Sequence, residues 1–240
     1  MNKRQWKKFI KRAAGEQGTE LYLTDMKLKL LPPEIGQLTT LKLLDLMYNR
    51  LKALPSEIGQ LTNLEVLGLS VNDLTELPPE IGCLTRLREI TLWANELATL
   101  PPEFGCLSSL EQLIGFEIGL KTLPPEIGGL TDLVGLHIHM NYLTELPPEI
   151  GQLSNLEELR LQMNQLTALP PEIGQLTKLR HLDISGNELT TLPIEIGLLA
   201  NLTEFSCNGN PLIFPPPEIV EQGNQAVLSY LRNAAASQQT

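Results

Sequence analysis

The chain repeats itself every 23 residues, and no other property restricts its possible folds as tightly. The hexapeptide LPPEIG begins at Leu31, Leu77, Leu123, Leu146 and Leu169, with the variants LPSEIG at Leu54, LPPEFG at Leu100 and LPIEIG at Leu192. This step gives eight units over residues 31–214 and a degenerate ninth start at PPPEIV, residues 215–220. One column of leucines runs through Leu38, Leu61, Leu84 and onward to Leu199, and another through Leu41, Leu64, Leu87 and onward to Leu202. A single short unit cannot bury so many leucines, whereas stacked copies bury them against one another in a continuous core. The LxxLxL portion alternates with period two and reads as a short strand. Stacked identical strands make a parallel sheet with neighbours about 4.8 Å apart. PPEIG has proline where a helix can start and Glu in the first turn, which places short helical segments on the opposite side. The expected class is α/β, a solenoid with its parallel β-sheet on one face and short helices on the other.

The full template, LPxEIGxLxxLxxLxLxxNxLxx, resembles the leucine-rich repeat family over about 200 residues, in its 23-residue intracellular Ras-suppressor-like and bacterial Roco-like form. The resemblance implies a horseshoe with the sheet on its concave face. It also implies that Asn49, Asn72, Asn95, Asn141, Asn164, Asn187 and Asn210 sit inside the turns with their amides bonded to adjacent backbone. A buried amide without such partners would cost stability. NPLIFPPPEIVEQGNQAVLSYL, residues 210–231, is similar to the segment where Roco repeat domains hand over to their GTPase domain. The resemblance implies a recognition domain of a longer chain and carries no catalytic residue over.

A stack needs closed ends. Residues 1–30 are read as an N-terminal capping helix, with Trp6, Phe9, Ile10, Ala13 and Ala14 at helical spacing, followed by an incomplete first repeat with Met26 at the Asn position. Residues 215–240 are read as a C-terminal capping helix and tail, with Val227, Leu228 and Leu231 facing the last repeat.

The residues between the inward leucines carry no packing duty and should point outward from the concave face. Large side chains gather in repeats three to six: Trp93, Ile114, Phe116, His137, His139, Met140, Arg160 and Met163. Tyr48 and Met47 form an outlying pair, and Ser70 and Gly68 on one flank, with Ser185, Gly186, Ser206 and Gly209 on the other, are small or polar. An apolar patch with a polar border usually marks an interaction site, and Trp, Tyr, Met and Arg are the residues interfaces prefer. Arg160 is the one base expected on this face, against Asp45, Glu89, Glu117, Glu158, Asp183 and Glu204. The expected ligand is a protein or peptide with an apolar anchor and a basic rim. Its contacts would be Tyr48, Trp93, Ile114, Phe116, Glu117, His137, His139, Met140, Arg160 and Met163. Scattering of surface aromatics by drift is the competing explanation.

One stretch breaks the template. IGFEIGLKT, residues 114–122, has Gly115 where its neighbours have Leu or Ile, and Ile118 where they have Asn. Either the fault reshapes the sheet to display Ile114 and Phe116, or Ile118 simply fills the interior. The unbroken 23-residue step excludes an insertion.

Composition narrows the function classes. The net charge is −10, and the acidic excess is larger beyond MNKRQWKKFIKR, which holds six bases and no acid. A nucleic-acid partner would need a basic footprint. No run approaches the roughly 20 apolar residues of a membrane span, and the basic start lacks the apolar core of a secretion signal. Cys83, Cys106 and Cys207 do not form the paired clusters of a secreted disulfide framework. A cytoplasmic, non-enzymatic binding module without metal or cofactor is expected. His137 and His139, roughly 6.6 Å apart along one strand, could hold a metal with Glu158 or Glu117, but two histidines without a clear third ligand are a weak signal. The regular Glu34 and Glu80 column suits helix starts, not a catalytic site.

Overall fold

The computed structural model describes residues 6, 8, 9 and 18–238. Among them, nine three-residue strands form one wholly parallel sheet in chain order: β1 Glu20–Tyr22, β2 Leu43–Asp45, β3 Val66–Gly68, β4 Glu89–Thr91, β5 Gln112–Ile114, β6 Gly135–His137, β7 Glu158–Arg160, β8 His181–Asp183 and β9 Glu204–Ser206. Every strand pairs with the next at one register, so Leu44, Leu67, Ile90, Leu113, Leu136, Leu159, Leu182 and Phe205 form a single buried row. The register passes through the IGFEIG fault unchanged.

The helical side is tighter than an α-helix. Each PEIG segment is a five-residue 3-10 turn, from Pro33–Gln37 to Ile194–Leu198, closed by bonds such as Leu38 N–H to Ile35 O at 3.0 Å. Glycine ends the turn because the next repeat arrives there. A Cβ on Gly82 would lie 2.4 Å from the Glu103 carbonyl oxygen, so no side chain fits. The same column accounts for the C-terminal cap. A Cβ on Gly197 would lie 2.4 Å from Leu231 O in α2, Asn224–Gln238, which takes the place of a further repeat turn. The short helix α1, Pro217–Val220, leads into it. Val227, Leu228 and Leu231 are buried against the last repeat, as expected. Of the N-terminal cap, Trp6 is buried edge-on to Phe9; Ile10, Ala13 and Ala14 lie outside the described residues.

The asparagines lock neighbouring turns. Asn49 Nδ2 donates to Leu46 O in its own turn and to Leu23 O in the previous one, both at 2.8 Å, and its Oδ1 accepts from Leu28 N–H at 2.9 Å. Seven asparagines repeat the pattern, and six of them are buried. Each satisfies three backbone groups that would otherwise be stranded in the interior.

At the fault the leucine and asparagine positions have exchanged duties. Ile118 is buried, and its Cδ1 lies 3.2 Å from where a Cβ on Gly115 would stand. Its side chain therefore occupies the space that a leucine at 115 fills in other repeats. The lost amide has two consequences. Leu97 N–H lacks, among the described residues, the asparagine acceptor that its seven counterparts have. Asn141 Oδ1 accepts two bonds, from Ile118 N–H and Leu120 N–H. The backbone also changes. Among the described residues, only the two turns without asparagine, at Met26 and Ile118, have left-handed residues on both sides: Asp25 and Lys27, and Glu117 and Gly119. At Gly119 the residue type removes the cost of that conformation. Gly115, Ile118 and Gly119 are one concerted change.

A double-mutant cycle tests this exchange by urea unfolding. Ile118→Asn alone leaves the interior space unfilled, Gly115→Leu alone collides with Ile118, and each is expected to destabilise by about 1–3 kcal/mol. The double variant should be more stable than either, with a coupling of at least ~1 kcal/mol. Strict additivity would contradict the exchange.

Candidate protein-binding surface

In-register stacking converts a column of sequence into a row in space. The position after the second inward leucine carries Trp93, Phe116 and His139, and neighbouring strands bring their rings face to face. Trp93 and Phe116 centroids are 5.5 Å apart with planes 6° from parallel. Phe116 and His139 are 4.8 Å apart at 16°. Tyr48 meets the other end of Trp93 edge-on at 6.2 Å. The four rings form one continuous ladder on the concave side. Tyr48 is thus no outlier: Ser70 and Gly68, small and buried, let it reach across the intervening repeat. Met47 leans the same way, with its Cγ 3.2 Å from a Cβ placed on Gly68.

The adjacent row holds Thr91, Ile114, His137 and Arg160 in register. Ile114, His137, His139 and Arg160 are half-buried. Tyr48, Glu117, Met140 and Met163 depart from the expected placement. They stand one step past the strand with φ of 54–58°, in the turn that leaves the sheet, and so line the edge of the concave face instead of its floor. Met140, Met163 and Tyr142 are strongly exposed there. Tyr142, Glu96 and Gly119 belong to this edge and escaped the periodic reading, because they follow the Asn position, where the template sets no residue type.

Charge is also distributed differently from a simple acidic surface. Glu158 bonds both His137 Nε2 at 3.2 Å and Arg160 at 3.3 Å, and Glu204 bonds His181 Nδ1 at 2.8 Å. Asp45 accepts from Met47 N–H, and Asp183 from Ser185 N–H and Oγ–H. Glu89, Glu96 and Glu117 make no ion pair among the described residues. The carboxylates without an ion pair thus belong to the two repeats that carry Trp93 and Phe116, while Glu158, Asp183 and Glu204 of the later repeats are engaged. Burial holds the His137 and His139 imidazoles below the usual histidine range, with Arg160 adding to the effect at His137 and His137 itself at His139. Six side-chain atoms are buried without a hydrogen-bond partner within the described chain: Ser70 Oγ, Thr91 Oγ1, His139 Nδ1, Arg160 Nε and Gln162 Oε1, on or just past the strands of this face, and Glu149 Oε2 in the 3-10 turn Pro148–Gln152.

No group of three His, Cys, Asp or Glu converges as metal ligands would among the described residues. Cys83 and Cys106 are exposed free thiols on the convex side. Cys207 is a core thiol whose pKa burial pushes up to about 11. No described helix is long and apolar enough to cross a membrane.

These features define an open parallel solenoid with a row of rings on its concave sheet, the architecture of a repeat protein. The chain matches the family described as leucine-rich repeat region over residues 20–96 and again over 79–165, and the two-copy leucine-rich repeat description over 154–196. It belongs to the leucine-rich repeat family. No curated protein matches it. Among solved structures, a leucine-rich repeat protein of Leptospira interrogans is 30% identical over 82% of this chain and 79% of that one, with a TM-score of 0.45. The GASSHO1/SCHENGEN3 receptor-kinase ectodomain of Arabidopsis thaliana, in complex with CASPARIAN STRIP INTEGRITY FACTOR 2, is 28% identical with a TM-score of 0.71, covering 80% of this chain and 27% of that one. The Arabidopsis receptor kinase HAESA, bound to the peptide hormone IDA and the co-receptor SERK1, is 29% identical with a TM-score of 0.65, covering 76% and 36%. The chain thus spans about a third or less of the length of these two receptors.

The histidines give the surface a pH signature. As pH falls through their ordinary value of 6.5, the unfolded chain takes up protons that the folded chain still resists, so stability falls. Thermal melting of the His137→Asn, His139→Asn double variant between pH 7.5 and pH 5.5 should show a shallower loss than the parent chain. Parallel pH profiles would contradict the assignment.

Proposed function

We propose that the protein is a non-enzymatic recognition module that holds a protein or peptide against the ring ladder of its concave face. The ladder itself carries the proposal. Three aromatic rings stacked in one row, with a fourth edge-on at its end, cost solubility and contribute little to the leucine core, which is the mark of a surface kept for a partner. The unpartnered buried groups beside it, including Gln162 Oε1 and His139 Nδ1, support the same reading, since a bound backbone would offer them donors and acceptors. The partner supplies an apolar anchor over Trp93, Phe116 and Ile114, and its basic rim faces Glu89 and Glu117. Tyr48, His137, His139, Met140, Arg160 and Met163 complete the contact. The receptors similar to this chain are solved with bound ligands, which fits a ligand-binding role for the fold. The exposed free thiols Cys83 and Cys106 suit a reducing compartment such as the cytoplasm. In a longer Roco-like chain the same surface would meet a neighbouring domain or a second copy.

The test is Trp93→Ala combined with Phe116→Ala. Both rings are half-buried, so unfolding free energy should change by no more than about 1–2 kcal/mol. Capture of partners from lysate, read by mass spectrometry, should be lost. Undiminished capture by a folded double variant would overturn the proposal.

A further inference from the structure

The fault that leaves the sheet register untouched opens a notch at its edge. The residue after the Asn position is Arg50, Asp73, Glu96, Tyr142, Gln165, Glu188 or Pro211 in other repeats, and Gly119 in this one. A cleft of about 450 Å³ results, between Glu96 of the preceding repeat and Tyr142 of the following one, with Gly119 in its lining. Clefts that hold small ligands run from about 300 Å³ upward. Its lining from the following repeat is apolar and exposed: Met140 at 40% and Tyr142 at 55%. Glu96 and Glu117 also line it, and neither is engaged in an ion pair among the described residues. Lys121 also lines the cleft, so its formal charge is negative by one. Glu117 directly follows Phe116 in the chain and Met140 directly follows His139, so the notch adjoins the ring ladder.

We infer that this notch is a receptor for one arginine side chain of the bound protein or peptide. An arginine suits both kinds of lining. Its planar guanidinium pairs with carboxylates and lies over an aromatic ring, and its aliphatic stem packs on apolar surface such as the Met140 thioether. Glycine at position 119 is what makes the space, because the same concerted change that moved Ile118 inward replaced an outward side chain with none. The inference rests on the concave-face proposal for the identity of the partner, but not for the geometry of the notch.

The uniformly ¹⁵N-labelled chain is titrated with acetyl-Gly-Arg-Gly-amide and, separately, acetyl-Gly-Gln-Gly-amide. The arginine peptide should shift the Glu117, Gly119 and Tyr142 amides saturably in the millimolar range, and the glutamine peptide should not. Glu96→Gln with Glu117→Gln, both at exposed positions, should weaken binding at least tenfold, and Lys121→Gln should tighten it. The Trp93→Ala, Phe116→Ala variant should keep the response. That separates the two proposals: loss of partner capture with retained arginine binding leaves the notch standing, and retained capture with no arginine binding removes it alone. Equal shifts with both peptides, absence of saturation, or binding undiminished in the carboxamide variant would overturn the inference.

Discussion

The buried asparagine ladder is the interaction on which the rest of the structure depends. Leucine columns drive stacking, but burial is non-directional and would tolerate small slips between turns. The amides do not. Each reaches backward to one carbonyl and one amide of the preceding turn, so a slipped repeat would strand two interior backbone groups at once. Register set in this way fixes where outward residues fall. The ring spacings of 4.8 Å and 5.5 Å follow from it, since they are close to the separation of neighbouring parallel strands, about 4.8 Å. A surface that can recognise a partner is therefore a by-product of how the interior is tied together.

The same constraint explains what the break in the template does. Removing an asparagine would normally leave a polar void, and removing a leucine would leave an apolar one. Here both losses occur in one turn, and Ile118 occupies the space left at Gly115 while Asn141 takes on an additional N–H. The sheet continues through β5 and β6 without a bulge. What changes is the exit from the strand, where Glu117 and Gly119 are both left-handed. The incomplete first repeat takes the same path around Met26 using Lys27, a residue for which that conformation is costly. Two unrelated sequences losing the same amide and adopting the same turn indicate that the asparagine, not the local sequence, selects the ordinary path.

Much of the architecture was legible because the repeat makes each inference many times over. Parallel strands, inward leucines, the row of Trp93, Phe116 and His139, and the capping role of Val227, Leu228 and Leu231 all follow from period and polarity. The displacement of Tyr48, Glu117, Met140 and Met163 to the edge did not. Polarity alternation continues past the end of a strand as though the chain were straight, and nothing in it signals a left-handed residue such as Val71, which as a β-branched residue is ill suited to that conformation. Contact between Tyr48 and Trp93 depends on side-chain reach over Ser70 and Gly68, which residue order does not encode. Carboxylates could be counted from the sequence, but which of them are already engaged, as Glu158 and Glu204 are, required geometry. Glycine at 119 was visible, but its effect was not, since a missing side chain matters only once its two neighbours are placed.

The most direct measure of this account is the set of proton nuclear Overhauser contacts among the concave rings in solution. Equal register through the fault predicts contacts from the Trp93 indole to the Phe116 ring and from Phe116 to the His139 imidazole, with Phe116 as the shared neighbour. Contacts of Phe116 with interior leucines, or an absence of contact on either side of it, would show that the turns do not stack in common register and that the ladder does not exist.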